Sequence, residues 1–291
     1  MLGSLLVLAL LVLAVAGPAL APYGPDEAER VLSKIVDGEE VTLYPPQPPS
    51  QAHWFGTDVW GYDILSSMLR GLRFTVLAAL GVALSRVFLG LALGVPLGLG
   101  RRRLLVLGLG AGGGMPAFIV VYLALHRSTI NSPLSVESLF LVQLLVLVFV
   151  GVPPLSVSLA ARIEALSASP TLIAAESLGA RRLHLTRRHL VPLLREELLV
   201  LFLTELVLVL NLIGQLGIFH VFLGGTIWYP ETGAYLSRTQ EWAGLLGQSR
   251  DALLAHPWLP AFPLLGFLLL VVSVMLLLRG LEGRWRRRQQ G

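Results

Sequence analysis

The chain has 291 residues, 55% of them hydrophobic and 14% charged, whereas soluble domains carry about 25% charged residues. So few charges cannot cover a water-exposed surface, and the apolar runs are spread along the whole length, which favours one helical membrane domain. Cysteine is absent, so disulfides, thiolate metal sites, iron–sulfur clusters and cysteine nucleophiles are excluded. The net charge of +4 is no argument for nucleic acid until its distribution is known.

A helix needs about 20 mostly apolar residues to cross the hydrocarbon core. Six stretches are expected to span: Leu2–Ala21, Phe74–Gly100, Leu104–Leu125, Leu139–Ala160, Leu198–Leu223 and Trp258–Leu278. The third is the weakest, because Gly112, Gly113, Gly114 and Pro116 interrupt it, so it is kept as a span with a break. The fold class is therefore all-α, a polytopic membrane protein. The first span is expected to remain as an uncleaved helix, because no basic residue precedes its long apolar run.

With the N-terminus placed inside and the sides alternating, fourteen of the 22 arginines and lysines fall in inside segments and seven outside, with Arg86 left in a span. This two-fold bias is the asymmetry expected of cytoplasmic loops, and it places both termini in the cytoplasm. The implied organisation is an N-terminal transmembrane helix (1–21), an extracytoplasmic segment (22–73), a transmembrane domain (74–279) with a cytoplasmic loop (162–197), and a basic tail (280–291). The tail reads as a membrane anchor beside lipid headgroups and needs no nucleic acid.

The outside segment 22–73 starts acidic, continues through a proline cluster read as extended chain, and reaches His53-Trp-Phe-Gly-Thr-Asp-Val-Trp-Gly-Tyr-Asp63. Thr57, Asp58 and Asp63 are turn and N-cap residue types, and the spacing from Ile64 to Leu72 predicts a short helix leading into the second span. In the inside loop, Ser169-Pro170 reads as a helix start and Gly179 as its stop. Ala174, Ala175 and Gly179 would give that short helix one smooth face. Physical chemistry leaves two uses for it equal: a surface for another protein, or a helix lying on headgroups with its arginines against phosphate.

Within the spans, Arg86 and Glu205 are costly charges that must face protein or water. They either line a path or pair between helices, and pairing is the preferred reading. Asn211 and Gln215 lie four apart, on one face of the fifth span, and can either pack or line a polar pore; together with Glu205 they are the pore candidates. The six histidines show no HExxH spacing, and no GxxxxGK[ST] phosphate loop is present. The expectation is no enzyme, no cofactor and no metal, with energy supplied by a partner.

Ala174-Ala175, Gly179 and the His189-Leu-Val-Pro192 close resemble the EAA loop of bacterial ABC importer permeases. Gly56-Thr57-Asp58-x-x-Gly61-x-Asp63 looks like the GTDxxGRD signature of the C-type permease of dipeptide, oligopeptide and nickel importers. Glu241-Trp242-x-Gly244 and Pro257-Trp258 are also similar to that subfamily. Ile173 stands where the loop motif usually opens with glutamate, Glu176 where the subfamily often has arginine, and Tyr62 where the external signature has arginine.

The resemblance implies a type I ABC importer permease fold in the bacterial cytoplasmic membrane, with a short coupling helix docking on the ATPase through Ala174, Ala175, Glu176, Gly179, Ala180, His189 and Pro192. It implies a second permease subunit, two ABC ATPase subunits and an extracytoplasmic solute-binding protein as partners, in contact with membrane lipids. Peptides are the most frequent cargo of the resembled subfamily, followed by nickel chelates and other small solutes. The rival readings are an ion-gradient-driven secondary transporter, disfavoured by the lack of an internal repeat, and a membrane scaffold without transport.

Overall fold

The computed structural model describes residues 2–28, 32–36, 39–99, 116–167 and 191–290. Its helices are α1 (Leu2–Leu20), α2 (Ile64–Leu99), α3 (Ala117–Thr129), α4 (Val136–Ser167), α5 (Val191–Ile218), α6 (Trp242–Ser249) and α7 (Trp258–Gln290). Two antiparallel hairpins complete the described structure: β1 (Leu32–Val36) with β2 (Glu39–Leu43), and β3 (Thr226–Tyr229) with β4 (Ala234–Ser237).

Among the described residues, five helices are long and apolar enough to cross a membrane: α1, α2, α4, α5 and α7. They correspond to five of the six expected spans. Of the expected third span, only the second half falls within the described residues. There α3 has 13 residues, too few to cross alone at about 1.5 Å per residue.

The helices extend past the apolar windows that announced them. The short helix expected from Ile64 is continuous with the second span, so α2 runs for 36 residues across the expected boundary at 73/74. In the same way α7 continues into the basic tail and ends at Gln290. Hydropathy detects only the lipid-length part of such helices, because the backbone bonding pattern carries on into polar sequence.

By contacts the chain forms two compact units. One contains 1–78, 122–143 and 210–277, and the other contains 79–121, 144–209 and 278–291.

In the first unit, packing rests on small residues and on side chains that bond to backbone. Gly17 of α1 abuts the backbone of Leu69, and Gly71 abuts that of Gln240. Gly217 and Gly247 bring the end of α5 against α6, with no space for a side chain at either. Trp242 fixes α6 to α2: its indole Nε1 donates to the Met68 carbonyl at 2.8 Å, and its backbone N–H donates to Thr75 Oγ1 at 3.1 Å.

Gln143 on α4 is completely buried. It donates to Thr129 Oγ1 and to the Phe222 carbonyl, and it accepts from the Gly224 N–H at 2.6 Å. Gly224 and Gly225 have φ of +77° and +122°, the left-handed region that side chains avoid, and this lets the chain turn from α5 into β3.

In the second unit, α2 lies on α4 along the stripe Gly90-x3-Gly94-x3-Gly98. A Cβ at Gly94 would lie 2.9 Å from Leu159 Cβ and 3.1 Å from the Ser156 carbonyl oxygen. Close backbone approach through small residues is the usual means of helix association in lipid, where apolar burial gives no net drive. Val87, Leu155 and Leu159 form the buried centre of this contact, flanked by Leu198, Leu201 and Phe202 of α5.

Gly94→Leu is expected to destabilise the protein by about 1–3 kcal/mol through overpacking. Gly81→Leu, on a part of α2 with nothing within 4 Å of the new Cβ, is expected to leave stability near that of the parent. Thermal unfolding in detergent checks both.

Candidate functional site

The first site is the charge pair of the second unit. Arg86, near the middle of α2, is 4% exposed and Glu205 of α5 is 7% exposed. Arg86 Nη1 donates to Glu205 Oε2 at 3.1 Å. The other edge of the guanidinium donates twice to the Leu147 carbonyl of α4, from Nε at 3.1 Å and from Nη2 at 2.6 Å. One planar cation therefore ties three helices together.

Gly151 makes this possible, since a side chain there would occupy the guanidinium's place. Glu205 is thus placed in an ion pair, and it reaches Arg86 rather than open space. Asn211 and Gln215 are both exposed on α5, on one helical face. An exposed amide pair among apolar neighbours presents a polar strip where the isolated chain meets its surroundings.

The second site is built from the motif Gly56–Asp63 in the first unit. Gly56 and Gly61 adopt φ of +80° and +85°, so each is a turn position suited to glycine. Gly56 also lies against the Gln47 carbonyl and the Trp258 ring. Thr57 is completely buried, and its backbone N–H donates to the Gln47 carbonyl while its Oγ1 accepts from the Gln47 N–H at 2.8 Å.

Asp58 Oδ1 accepts from the N–H groups of Trp60 and Tyr62, both at 2.9 Å. This turn is what sets the direction of the two aromatic residues. Burial pushes the Asp58 carboxyl up from 3.8 to about 7, opposed by the backbone N–H groups it accepts from.

Asp63 caps α2. Its Oδ2 accepts from Ser66 N–H and Ser66 Oγ, both at 2.7 Å, and its Oδ1 lies 2.9 Å from His53 Nδ1. Tyr23 N–H donates to Ser66 Oγ, which brings the chain leaving α1 onto the same knot. Each motif position is therefore explained by local backbone geometry.

Glu241, at the start of α6, is 1% exposed and caps the helix by accepting from Ala243 N–H at 2.8 Å. Burial pushes its carboxyl up from 4.5 to about 7. The expected loop residues Ala174, Ala175, Glu176, Gly179, Ala180 and His189 lie outside the described residues. Pro192 is the second residue of α5, a first-turn position where proline forfeits no helical bond.

Sequence reasoning passed over Gln143 and both hairpins. The run Thr-Ile-Trp-Tyr, Pro-Glu-Thr-Gly, Ala-Tyr-Leu-Ser does carry a hairpin signal, with short β-prone runs around a turn cluster. Gly233 closes that turn at φ +66°. For Gln143 nothing in the sequence separates it from any other amide in an apolar run.

Long apolar helices, an ion pair sealed among three of them and a hydrogen-bonded polar cap define a multi-pass helical membrane protein. No protein-family model matches the sequence. The chain is similar to the dipeptide transport system permease protein DppC of Alkalihalophilus pseudofirmus, with 25% identity over 239 residues that cover 81% of this chain and 72% of that protein.

Replacing Arg86 by Met leaves Glu205 buried and uncompensated, and it is expected to cost about 3–5 kcal/mol. The double variant Arg86→Met/Glu205→Leu is expected to recover most of that loss, and unfolding of the four proteins in detergent measures the coupling.

Asp58 supplies a pH signature. Its folded value lies above the unfolded one, so the folded state holds a proton that the unfolded chain releases. The contribution of Asp58 to stability is then greatest below about pH 4, falls as pH rises towards about 7, and levels off above it. Asp58→Asn keeps the acceptor for Trp60 and Tyr62 and abolishes the titration. The melting temperature of Asp58→Asn relative to the parent is expected to rise between pH 5 and pH 8.

Proposed function

We propose that this chain is the permease subunit of an ABC-type importer, half of a translocation path for peptides or similar small solutes across a bacterial cytoplasmic membrane. The observation that carries the proposal is the likeness to a dipeptide transport permease over 81% of the chain. The folding of Gly56–Asp63 into a compact cap at the head of α2 supports it, because the residues that resemble the importer signature are those that build the cap.

In this reading both termini and the 162–197 loop face the cytoplasm, and the Gly56–Asp63 cap faces outward. The chain pairs with a second permease subunit and two ATPase subunits, and a solute-binding protein delivers cargo from outside. ATP-driven closure of the ATPases moves the helix around Ala174–Gly179, and the spans follow. Asn211 and Gln215, exposed on α5, face the path, while Glu205 holds the helices that frame it. No step of ATP chemistry falls to this chain.

Affinity purification of the tagged chain from its native membrane is expected to recover ATPase subunits, and Gly179→Trp is expected to abolish that recovery without loss of membrane insertion. An inserted chain that recovers no ATPase under any condition contradicts the proposal.

A further inference from the structure

Two cavities of the first unit adjoin one another. One, of about 370 Å³, has Arg70, Arg73 and Arg238 in its wall together with the single carboxylate of Asp26. The other, of about 360 Å³, is lined by Trp60, Tyr229, Val59 and Pro45. Tyr62 and Leu236 belong to both walls, so the aromatic compartment and the cationic compartment are neighbours that share these two residues. Each lies in the size range of small-molecule pockets, about 300–1,000 Å³.

Each wall includes a side chain with one buried donor that has nothing to bond. Arg70 Nε and Trp60 Nε1 are buried and lack a hydrogen-bond partner among the described residues. Arg70 Nη1 is occupied by the Tyr23 carbonyl and Arg238 Nη1 by that of Leu134. Arg73 lies over the Phe74 ring at 4.8 Å. Among the described residues none of the three guanidinium groups has an ion-pair partner within 4 Å. Asp26 is exposed, so water weakens its hold on them. Glu27 and Asp63 also act on Arg70 from a distance, but Asp63 is committed to His53 and Ser66 and Glu27 accepts from Gly24 N–H.

We propose that the two cavities form one binding site for a small organic acid, the arginines taking its carboxylate and the Trp60–Tyr229 compartment taking an apolar or aromatic substituent. A guanidinium offers parallel N–H donors that match a carboxylate's two oxygens. Beside it, Trp60 and Tyr229 stand with ring centroids 4.5 Å apart at 42°, a wall against which a flat group gains contact at little entropic cost. Asp58 holds the site in shape, since its two amide bonds orient Trp60 and Tyr62. Tyr62 stands where the resembled signature carries arginine, so the shared aromatic wall is a feature of this chain's own sequence. The proposal stands apart from ATPase coupling, and either can fail without the other.

The test is fluorine NMR of 4-fluorophenylacetate with the purified full-length chain in detergent, with 4-fluorophenylacetamide as the uncharged control. Saturable broadening of the acid is expected, with the amide about tenfold weaker, as loss of charged hydrogen bonds implies. Arg73→Gln, an exposed position that leaves the fold alone, is expected to weaken the acid selectively. Trp60→Leu is expected to weaken acid and amide alike. No saturable binding of the acid, equal binding of acid and amide, or an Arg73→Gln variant that binds as the parent does would each overturn the proposal.

Discussion

The guanidinium of Arg86 sets the terms for the second unit of this protein. A charge at that depth costs about 2.5–3.5 kcal/mol on insertion scales even in a tolerant reference state, and it is retained only if neighbours supply what water would. Glu205 supplies the countercharge and the Leu147 carbonyl takes two further donors. Since the three groups come from α2, α5 and α4, satisfying one side chain fixes three helices at once. Gly151 then has to be a glycine, because the guanidinium fills the space above it. The stripe Gly90, Gly94, Gly98 continues the same α2–α4 approach along the helix, so a polar lock and an apolar seam hold one interface.

The first unit adds a second kind of constraint. Backbone groups outside a helix or strand ladder need partners, and the first unit provides them from side chains. Asp58, Asp63, Gln143, Thr226 and Glu241 each accept from backbone N–H groups. These residues are buried, so their value is structural before it is chemical. The consequence for Asp58 and Glu241 is a carboxyl pushed up to about 7.

How much of this was readable in the sequence depends on the range of the interaction. Spans α1, α2, α4, α5 and α7 are visible because length and apolarity are local. Asp63 as an N-cap and Asp58 as a turn residue are visible because each acts within four residues of itself. Arg86 and Glu205 stood out as costly charges, but 119 residues separate them, and only the folded chain shows that they meet. Gln143 was invisible, since its partners lie 14, 79 and 81 residues away and an isolated amide in an apolar run announces no role. The glycine stripe and the β3–β4 hairpin carried readable signals, although hydropathy windows average over both. Asn211 and Gln215 were placed on one face by their spacing alone, and that face is exposed.

In the proposed function this helical chain forms a passage powered by ATP-binding partners. The direct measurement is uptake of a labelled dipeptide into proteoliposomes that contain this chain with the second permease, ATPase and solute-binding proteins that the proposed function requires. Uptake that requires this chain and ATP, and that persists when ion gradients are collapsed, is the predicted result. Uptake that proceeds without ATP and stops when an ion gradient is dissipated would contradict it.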